Sequence, residues 1–194
     1  RLGHGTLDPE ALRSVVDSLM DRLLARYEAG PADPFPGLGD FLQGQDALSP
    51  GERRRIEALV ALHEMGTILP ERVESLRRLA RSHRLALVSD LWAPATAYRE
   101  YLQRTGVDRL FRSMVFSCEQ GAVKPSPRLF RRALSELEVP AERAVFIGDH
   151  ETRDILGAAA CGMATVWIDR AGAGPRVSTP DRVIRSLEEL ASLG

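Results

Sequence analysis

The sequence contains very little cysteine and no long apolar run. Two cysteines among 194 residues are too few for a disulfide framework, and no apolar stretch approaches the roughly 20 residues that span a bilayer. The 26 basic and 27 acidic side chains leave a net charge of −1, so no overall charge attracts nucleic acid or an anionic membrane. We therefore predict a cytoplasmic protein that binds any charged substrate through local groups. The oligomeric state stays open.

Lysine is almost absent as well. The only lysine among the 26 basic residues is Lys124, and the others are arginine. A GC-rich genome explains a general bias towards arginine, and a single lysine can persist by chance. A compact ammonium on a flexible stem can, however, serve a function that a planar guanidinium cannot. Lys124 is therefore a candidate functional residue.

The first 80 residues have the pattern of a helical domain. Asp8 and Pro9 provide an N-cap and a first helical position, and apolar residues follow at helical spacing. A Gly- and Pro-rich stretch over 30–39 predicts a loop, and two further helices begin at Pro50 and near Pro70. No strand is predicted in this part of the chain.

From residue 85 onwards, short apolar segments alternate with helical segments. The predicted strands are "LALVSD", "SMVFSC", "RAVFIGD" and "ATVWID", and the predicted helices are "TAYREYLQRTG", "SPRLFRRALSEL", "RDILGAAACG" and "DRVIRSLEELASL". This alternation predicts right-handed βαβ units in a doubly wound parallel α/β sheet. We thus divide the chain into a helical domain over 1–80 and an α/β domain over 81–194.

Polar residues stand where the predicted strands end, which is where open parallel sheets bind ligands. These residues are Ser89 and Asp90, Ser117 and Cys118, Gly148 and Asp149, and Asp169, with Asp154 in the helix that follows Asp149. Mg²⁺ usually takes one or two carboxylates together with a substrate phosphate. A phosphoryl group also needs a hydroxyl donor and a compact cation. We predict Asp149 and Asp154 for the metal, and Ser89 and Lys124 for the phosphate, with Gly148 letting the backbone approach closely.

Three segments resemble a known family. "LALVSD", "GAVKPSPRLFRRAL" and "VFIGDHETRDILGAAACGMATVWIDR" resemble, in order and spacing, the second, third and fourth motifs of the haloacid dehalogenase-like hydrolase superfamily. The resemblance covers about residues 70–194 and implies a Rossmann-like fold in which the preceding residues form an α-helical cap. It implies that Ser89 binds phosphoryl oxygens, Lys124 neutralises the nucleophile and the phosphate, Asp149 ligates Mg²⁺ and Asp154 supports the metal shell.

The first motif of that superfamily, an Asp-x-Asp-x-Thr pattern after a buried strand, is missing from the sequence. "RLGHGTL" matches only the end of the motif, with Leu2 in the place of the nucleophile and His4 in the place of the general acid. We interpret this match as a coincidence. By resemblance, the first strand lies between the strands that end at Ser89 and Asp149. We therefore expect the native protein to carry a strand that ends in an aspartate upstream of Arg1.

The motifs favour a Mg²⁺-dependent phosphatase that acts on a small phosphorylated metabolite through an aspartyl-phosphate intermediate. One alternative is a metal-independent haloacid dehalogenase, which by resemblance usually lacks the Gly148–Asp149 pair. Another is a non-catalytic binding or scaffold protein, which the missing nucleophile supports. Single residues also have simpler interpretations: Ser89 as a turn residue, Asp154 as an acid at a helix N-terminus, and Asp90 as a cap for the helix after "LWAPAT".

Overall fold

The computed structural model describes residues 8–30, 34–43 and 48–192. The helices of the first part are α1 (Pro9–Glu28), α2 (Leu38–Gln43), α3 (Pro50–Met65) and α4 (Pro70–Leu79). Asp8 caps α1 as predicted, because its carboxylate accepts the N–H of Ala11 at 2.8 Å. Ser49 and Glu52 form a reciprocal capping box at the start of α3. The sequence therefore specifies these two helix starts locally. The match of "RLGHGTL" to the first motif lies outside the described residues.

The prediction of a loop over 30–39 is wrong at its end, because helix α2 begins at Leu38. Leu38 and Leu42 are almost completely buried, and the Asp40 carboxylate accepts the N–H of Gly37 at 2.9 Å. Burial of two leucines and this local hydrogen bond favour a helical turn where the glycines and prolines had predicted none.

The second part alternates strands and helices, as predicted. It contains β1 (Leu85–Ser89), α5 (Thr96–Thr105), β2 (Phe111–Phe116), α6 (Ser117–Gln120), α7 (Pro127–Leu137), β3 (Val145–Gly148), a π-helical turn (Glu151–Leu156), α8 (Gly157–Ala159), β4 (Ala164–Ile168) and β5 (Arg182–Ile184). The pairs β1–β2, β3–β4 and β4–β5 are all parallel. The α/β fold class is thus confirmed. None of the described helices is long and apolar enough to cross a membrane.

The prediction of a C-terminal α-helix over "DRVIRSLEELASL" is wrong. This segment forms β5 and then a 3₁₀ helix over Leu187–Ser192. Val183 and Ile184 pair with Trp167 and Ile168 of β4, and Ile184 is buried. Pairing with a neighbouring strand therefore overrides the local helical pattern.

The predicted strand "SMVFSC" also extends too far, because β2 ends at Phe116 and Ser117 begins α6. The buried Ser117 hydroxyl accepts the N–H of Leu91 at 2.9 Å and lies 3.0 Å from the Leu91 carbonyl, to which it donates. This exchange holds the chain after β1 against the end of β2, which explains why the strand stops there.

Side chains of β1 and β2 alternate between two apolar layers, as the pleat of a strand requires. Leu87 and Phe116 pack with α5 and with the helices of the first part. Ala86, Val88 and Val115 pack on the opposite face with α7. Helices therefore cover both faces of this sheet, as in a doubly wound fold. The boundary between two domains at residue 80 stays a prediction.

The strands form two separate sheets, of order β2–β1 and β3–β4–β5. Within the described residues, β1 and β3 share no ladder of hydrogen bonds, so each has one edge without a strand partner. Helix α7 contacts both sheets: Leu129 packs on the β1–β2 face, and the Phe130 ring lies edge-on to Phe146 of β3, with centroids 5.0 Å apart. We refer to the interruption between β1 and β3 as the split.

Candidate active site

A buried ion pair links the two sheets near their carboxyl ends. Lys124 lies in the loop between α6 and α7, and Asp154 lies in the π-helical turn after β3. The Lys124 Nζ is 2.7 Å from the Asp154 Oδ1, and the two side chains are only 13% and 5% exposed. The only lysine of the sequence is therefore fixed beside the carboxylate that the sequence had assigned to the metal shell.

Both oxygens of Asp154 are engaged. Its Oδ2 accepts the N–H of Asp149 at 3.1 Å and the N–H of His150 at 3.0 Å. A Cβ atom on Gly148 would lie only 2.4 Å from the Asp154 Cβ, so only glycine permits this approach. Asp154 therefore organises the turn that follows β3, and Gly148 is the reason it can do so.

Asp149 lies next to this network but is open to solvent. Its side chain is 60% exposed and its Oδ2 is 3.5 Å from the Arg170 Nη2, while its carbonyl accepts the indole N–H of Trp167 at 3.2 Å. The described part of the chain contains no group of three or more His, Cys, Asp or Glu side chains arranged for a metal. One accessible carboxylate does fit Mg²⁺, which takes few protein ligands and completes its shell with water and phosphate.

Ser89 is the last residue of β1, at the carboxyl end of that strand. Asp90 does not cap the next helix, as one interpretation held, because Ala95 is the N-cap residue of α5. The Asp90 Oδ1 instead accepts the N–H of Lys124 at 3.0 Å, and its Oδ2 accepts the hydroxyl of Tyr27 at 2.6 Å. Asp90 thus connects the Ser89 strand end to the Lys124 loop.

The other strand-end residues serve the fold. Asp169 accepts the N–H groups of Gly172 at 2.8 Å and Gly174 at 2.9 Å, and these backbone hydrogen bonds, chiefly that of Gly174, lower the pKa of its carboxyl. Burial raises the pKa of the Cys118 thiol to about 11, so the thiol stays protonated at neutral pH. Within the described residues, the hydrogen bonds of Asp169 go to its own loop and not to Lys124 or Asp154.

The helical part contributes contacts that sequence reasoning missed. Glu64 of α3 accepts the N–H of Trp92 at 2.9 Å and the N–H of Ala93 at 3.1 Å, and it also accepts the Tyr98 hydroxyl. The chain after β1 is thereby tied to α3. These partners are far apart in sequence, so no local sequence pattern predicts the contacts.

The His150 imidazole turns back on its own backbone, because its Nδ1 accepts the N–H of Arg153 at 3.3 Å. Burial lowers the pKa of His150, and the charge of Arg153 acts in the same direction. His150 therefore caps the π-helical turn that carries Asp154.

Comparison with known proteins identifies the family. The haloacid dehalogenase-like hydrolase family matches residues 8–162. A phosphoserine phosphatase of Thermus thermophilus is 34% identical over an alignment of 184 positions, which covers 89% of this chain and 73% of the relative. The chain therefore belongs to the haloacid dehalogenase-like hydrolases, as the three motifs predicted.

Solved structures agree with this assignment. A HAD phosphatase from Thermococcus onnurineus has a TM-score of 0.58 at 30% identity, over 66% of this chain and 58% of that chain. This chain thus spans little more than half of that structure. A 2-haloacid dehalogenase from Pseudomonas syringae pv. tomato has a TM-score of 0.64 over 97% of this chain and 81% of that chain, at 24% identity. The second likeness shows the fold alone.

Proposed function

We propose that the protein is a magnesium-dependent phosphatase for a small phosphorylated metabolite. The observation that carries this proposal is the grouping of the Lys124–Asp154 pair with the exposed carboxylate of Asp149. A cation and an accessible carboxylate at the carboxyl ends of parallel strands suit a phosphate and a divalent metal. Phosphatases among the similar proteins support the same class of reaction.

In this proposal Asp149 holds the metal. Its side chain is exposed, whereas both oxygens of Asp154 already accept hydrogen bonds. Asp154 therefore holds the backbone of Asp149 and the ammonium of Lys124 in place. When bound, Mg²⁺ neutralises charge that develops on the phosphoryl oxygens.

The phosphoryl group is bound by Ser89 and Lys124. The ammonium of Lys124 carries three N–H donors, and one of them is directed to Asp154. The remaining donors and the Ser89 hydroxyl are available for phosphoryl oxygens. Both groups act where negative charge increases in the transition state.

In this proposal the nucleophile is an aspartate at the end of a strand that fills the split. This is the strand that the motif pattern predicts upstream of Arg1. Its carboxylate oxygen attacks phosphorus while the ester P–O bond breaks, and the leaving oxygen takes a proton from water and departs as the alcohol. Water then attacks phosphorus, the acyl-phosphate P–O bond breaks, and the carboxylate and inorganic phosphate are released. The unpartnered edges of β1 and β3 support this position for the strand.

The phosphatase is favoured over the dehalogenase by the turn after β3. Gly148 and Asp154 build a close contact there, and this contact presents Asp149 to solvent beside Lys124. A reaction without a metal has no need of this exposed carboxylate.

The test uses the protein expressed from its complete gene and a panel of phosphorylated metabolites, with Mg²⁺ and with EDTA. We expect Mg²⁺-dependent release of inorganic phosphate from at least one ester, and loss of that release in Asp149→Asn and Lys124→Arg. Asp21→Asn, on the exposed surface of α1, is a control and should retain activity. Hydrolysis that persists in EDTA would contradict the metal dependence. Absence of hydrolysis across the panel, together with no binding of inorganic phosphate, would favour the scaffold alternative.

A further inference from the structure

Tyr27, near the end of α1, contacts two of the three motif regions. Its hydroxyl donates to Asp90, the residue after Ser89, at 2.6 Å. The Arg153 guanidinium, from the turn that carries Asp154, lies 4.0 Å from the centroid of the Tyr27 ring. A single side chain of the helical part thus bridges the end of β1 and the turn after β3.

The contact at Asp90 extends to the third motif region. The other Asp90 oxygen accepts the N–H of Lys124 at 3.0 Å. The two carboxylate oxygens are therefore divided between the helical part and the Lys124 loop. We call this series of contacts the Tyr27–Asp90–Lys124 link.

Asp90 occupies an unfavourable place for an anion, because it directly follows the serine that would bind a phosphate. Its charge would repel a phosphate dianion unless it were turned away and hydrogen-bonded. Both oxygens have such partners. The pKa of Tyr27 lies well above its ordinary value, first because of burial and then because of the Asp90 charge, so the hydroxyl stays protonated and donates.

The aromatic surroundings fix the tyrosine ring. Phe35 and Trp92 lie edge-on to Tyr27, with centroid distances of 6.0 Å and 5.8 Å. Because ring packing and the cation–π contact do not need the hydroxyl, a phenylalanine at this position keeps them. The hydroxyl can therefore be tested separately from the ring.

We propose that Tyr27 is a positioning residue, supplied by the helical part, that orients Asp90 and through it the backbone of Lys124. The helical part then contributes to the phosphate-binding lysine as well as covering the sheet. The expected effect of Tyr27 on kcat rests on the proposed function. Its expected effect on the hydrogen bond between Lys124 and Asp90 does not. The hydrogen bond from Lys124 to Asp90 should weaken whenever the Tyr27 hydroxyl is removed.

The experiment compares Tyr27→Phe with Tyr101→Phe in the protein expressed from its complete gene. Tyr101 is the matched control, because its hydroxyl accepts the N–H of Ile68 at 3.1 Å and does not contact Asp90. Amide hydrogen exchange at Lys124, followed by NMR, is the first measurement, and kcat and KM are the second. We expect exchange at Lys124 to accelerate about tenfold in Tyr27→Phe, the effect of one ordinary hydrogen bond. Exchange should be unchanged in Tyr101→Phe.

On a substrate identified by the panel, kcat should fall about tenfold in Tyr27→Phe with little change in KM. Asp90→Ala should have a larger effect, and the double variant should be no worse than Asp90→Ala, because both changes act through one link. Equal exchange and equal kcat in the two tyrosine variants would overturn the proposal.

Two further outcomes separate the proposals. If no phosphate ester is hydrolysed, the proposed function fails. Amide hydrogen exchange at Lys124 still tests whether the Tyr27–Asp90–Lys124 link exists. If Tyr27→Phe does not fold, Asp90→Asn provides the second test, since its NH₂ group replaces one of the two accepting oxygens and can only donate. Accelerated exchange at Lys124 in that variant supports the link, and unchanged exchange overturns it.

Discussion

The two sides of the split are stabilised in different ways. On the β1–β2 side, one apolar cluster joins the sheet to the helical part, and Leu23, Leu38 and Ile56 are 0% exposed. On the β3–β5 side, carboxylates hold the loops by accepting backbone N–H groups. Glu151 accepts those of Arg176, Val177 and Ser178. Asp169 accepts those of Gly172 and Gly174, and Asp181 accepts that of Thr165. The candidate site lies where the two sides meet, with Lys124 from one and Asp154 from the other.

The candidate site residues therefore also connect two differently built parts of the molecule. Asp149 and Asp154 illustrate the distinction, because they belong to the same turn yet one is exposed and the other is buried. Changes at the buried pair should therefore affect stability and activity together. Changes at exposed groups should affect activity alone.

Lys124→Met should have the largest effect. It leaves the buried Asp154 carboxylate without its cation, and breaking a buried pair in this way costs about 3 kcal/mol of unfolding free energy. Urea unfolding measures this loss, and phosphate release should fall to background. Lys124→Arg, which keeps a charge, should lose activity with a much smaller change in stability. Similar unfolding midpoints for Lys124→Met and the unmodified protein would show that the pair does not join the two sides.

Gly148→Ala should be the next most harmful change. The added Cβ would lie 2.4 Å from the Asp154 Cβ, so the turn must move, at a cost of about 1–3 kcal/mol. Gly39→Ala is the control, because a Cβ there meets no atom within 4 Å and alanine favours the helix. Thermal unfolding compares the two variants. Equal stability in both would mean that the turn after β3 adapts freely.

Asp149→Asn should separate activity from stability. The carboxylate is 60% exposed and its contact with Arg170 is a surface pair, which contributes about 0–1 kcal/mol. We expect an almost unchanged unfolding midpoint and loss of Mg²⁺-dependent phosphate release, since a neutral amide is a poor ligand for a hard dication. A large loss of stability would instead give Asp149 the structural role that we assign to Asp154.

Asp169→Asn should have the smallest effect, a slight loss of stability at neutral pH that disappears in acid. Backbone N–H groups lower the pKa of Asp169 in the folded state. Its stabilisation is therefore complete above the ordinary pKa of about 3.9 and is lost as the pH falls towards the lowered value. The unmodified protein should lose this contribution below about pH 4, and the asparagine variant has none to lose. Thermal unfolding between about pH 5 and about pH 2.5 measures the difference. Parallel pH profiles would contradict this account of the β3–β5 side.

Local signals in the sequence predicted much of the fold and gave the candidate site residues, whose roles stay predictions. The cap at Asp8, the alternation after residue 85 and the motif residues Lys124 and Asp154 all depend on neighbours in the chain or on fixed spacing. The strand β5 and the role of Asp90 were not predicted, because they depend on partners that only the folded chain brings near. Tyr27 is the clearest case, since nothing around it in sequence distinguishes it from a packing residue.

The proposed function requires an aspartate-bearing strand that fills the split. A crystal structure of the protein expressed from its complete gene tests it most directly. Neighbouring strands lie about 4.8 Å apart, so we predict about 10 Å between β1 and β3, a parallel strand hydrogen-bonded to both, and an aspartate at its end directed towards Lys124. Direct pairing of β1 with β3, about 4.8 Å apart, would leave no place for the nucleophile and would contradict the account.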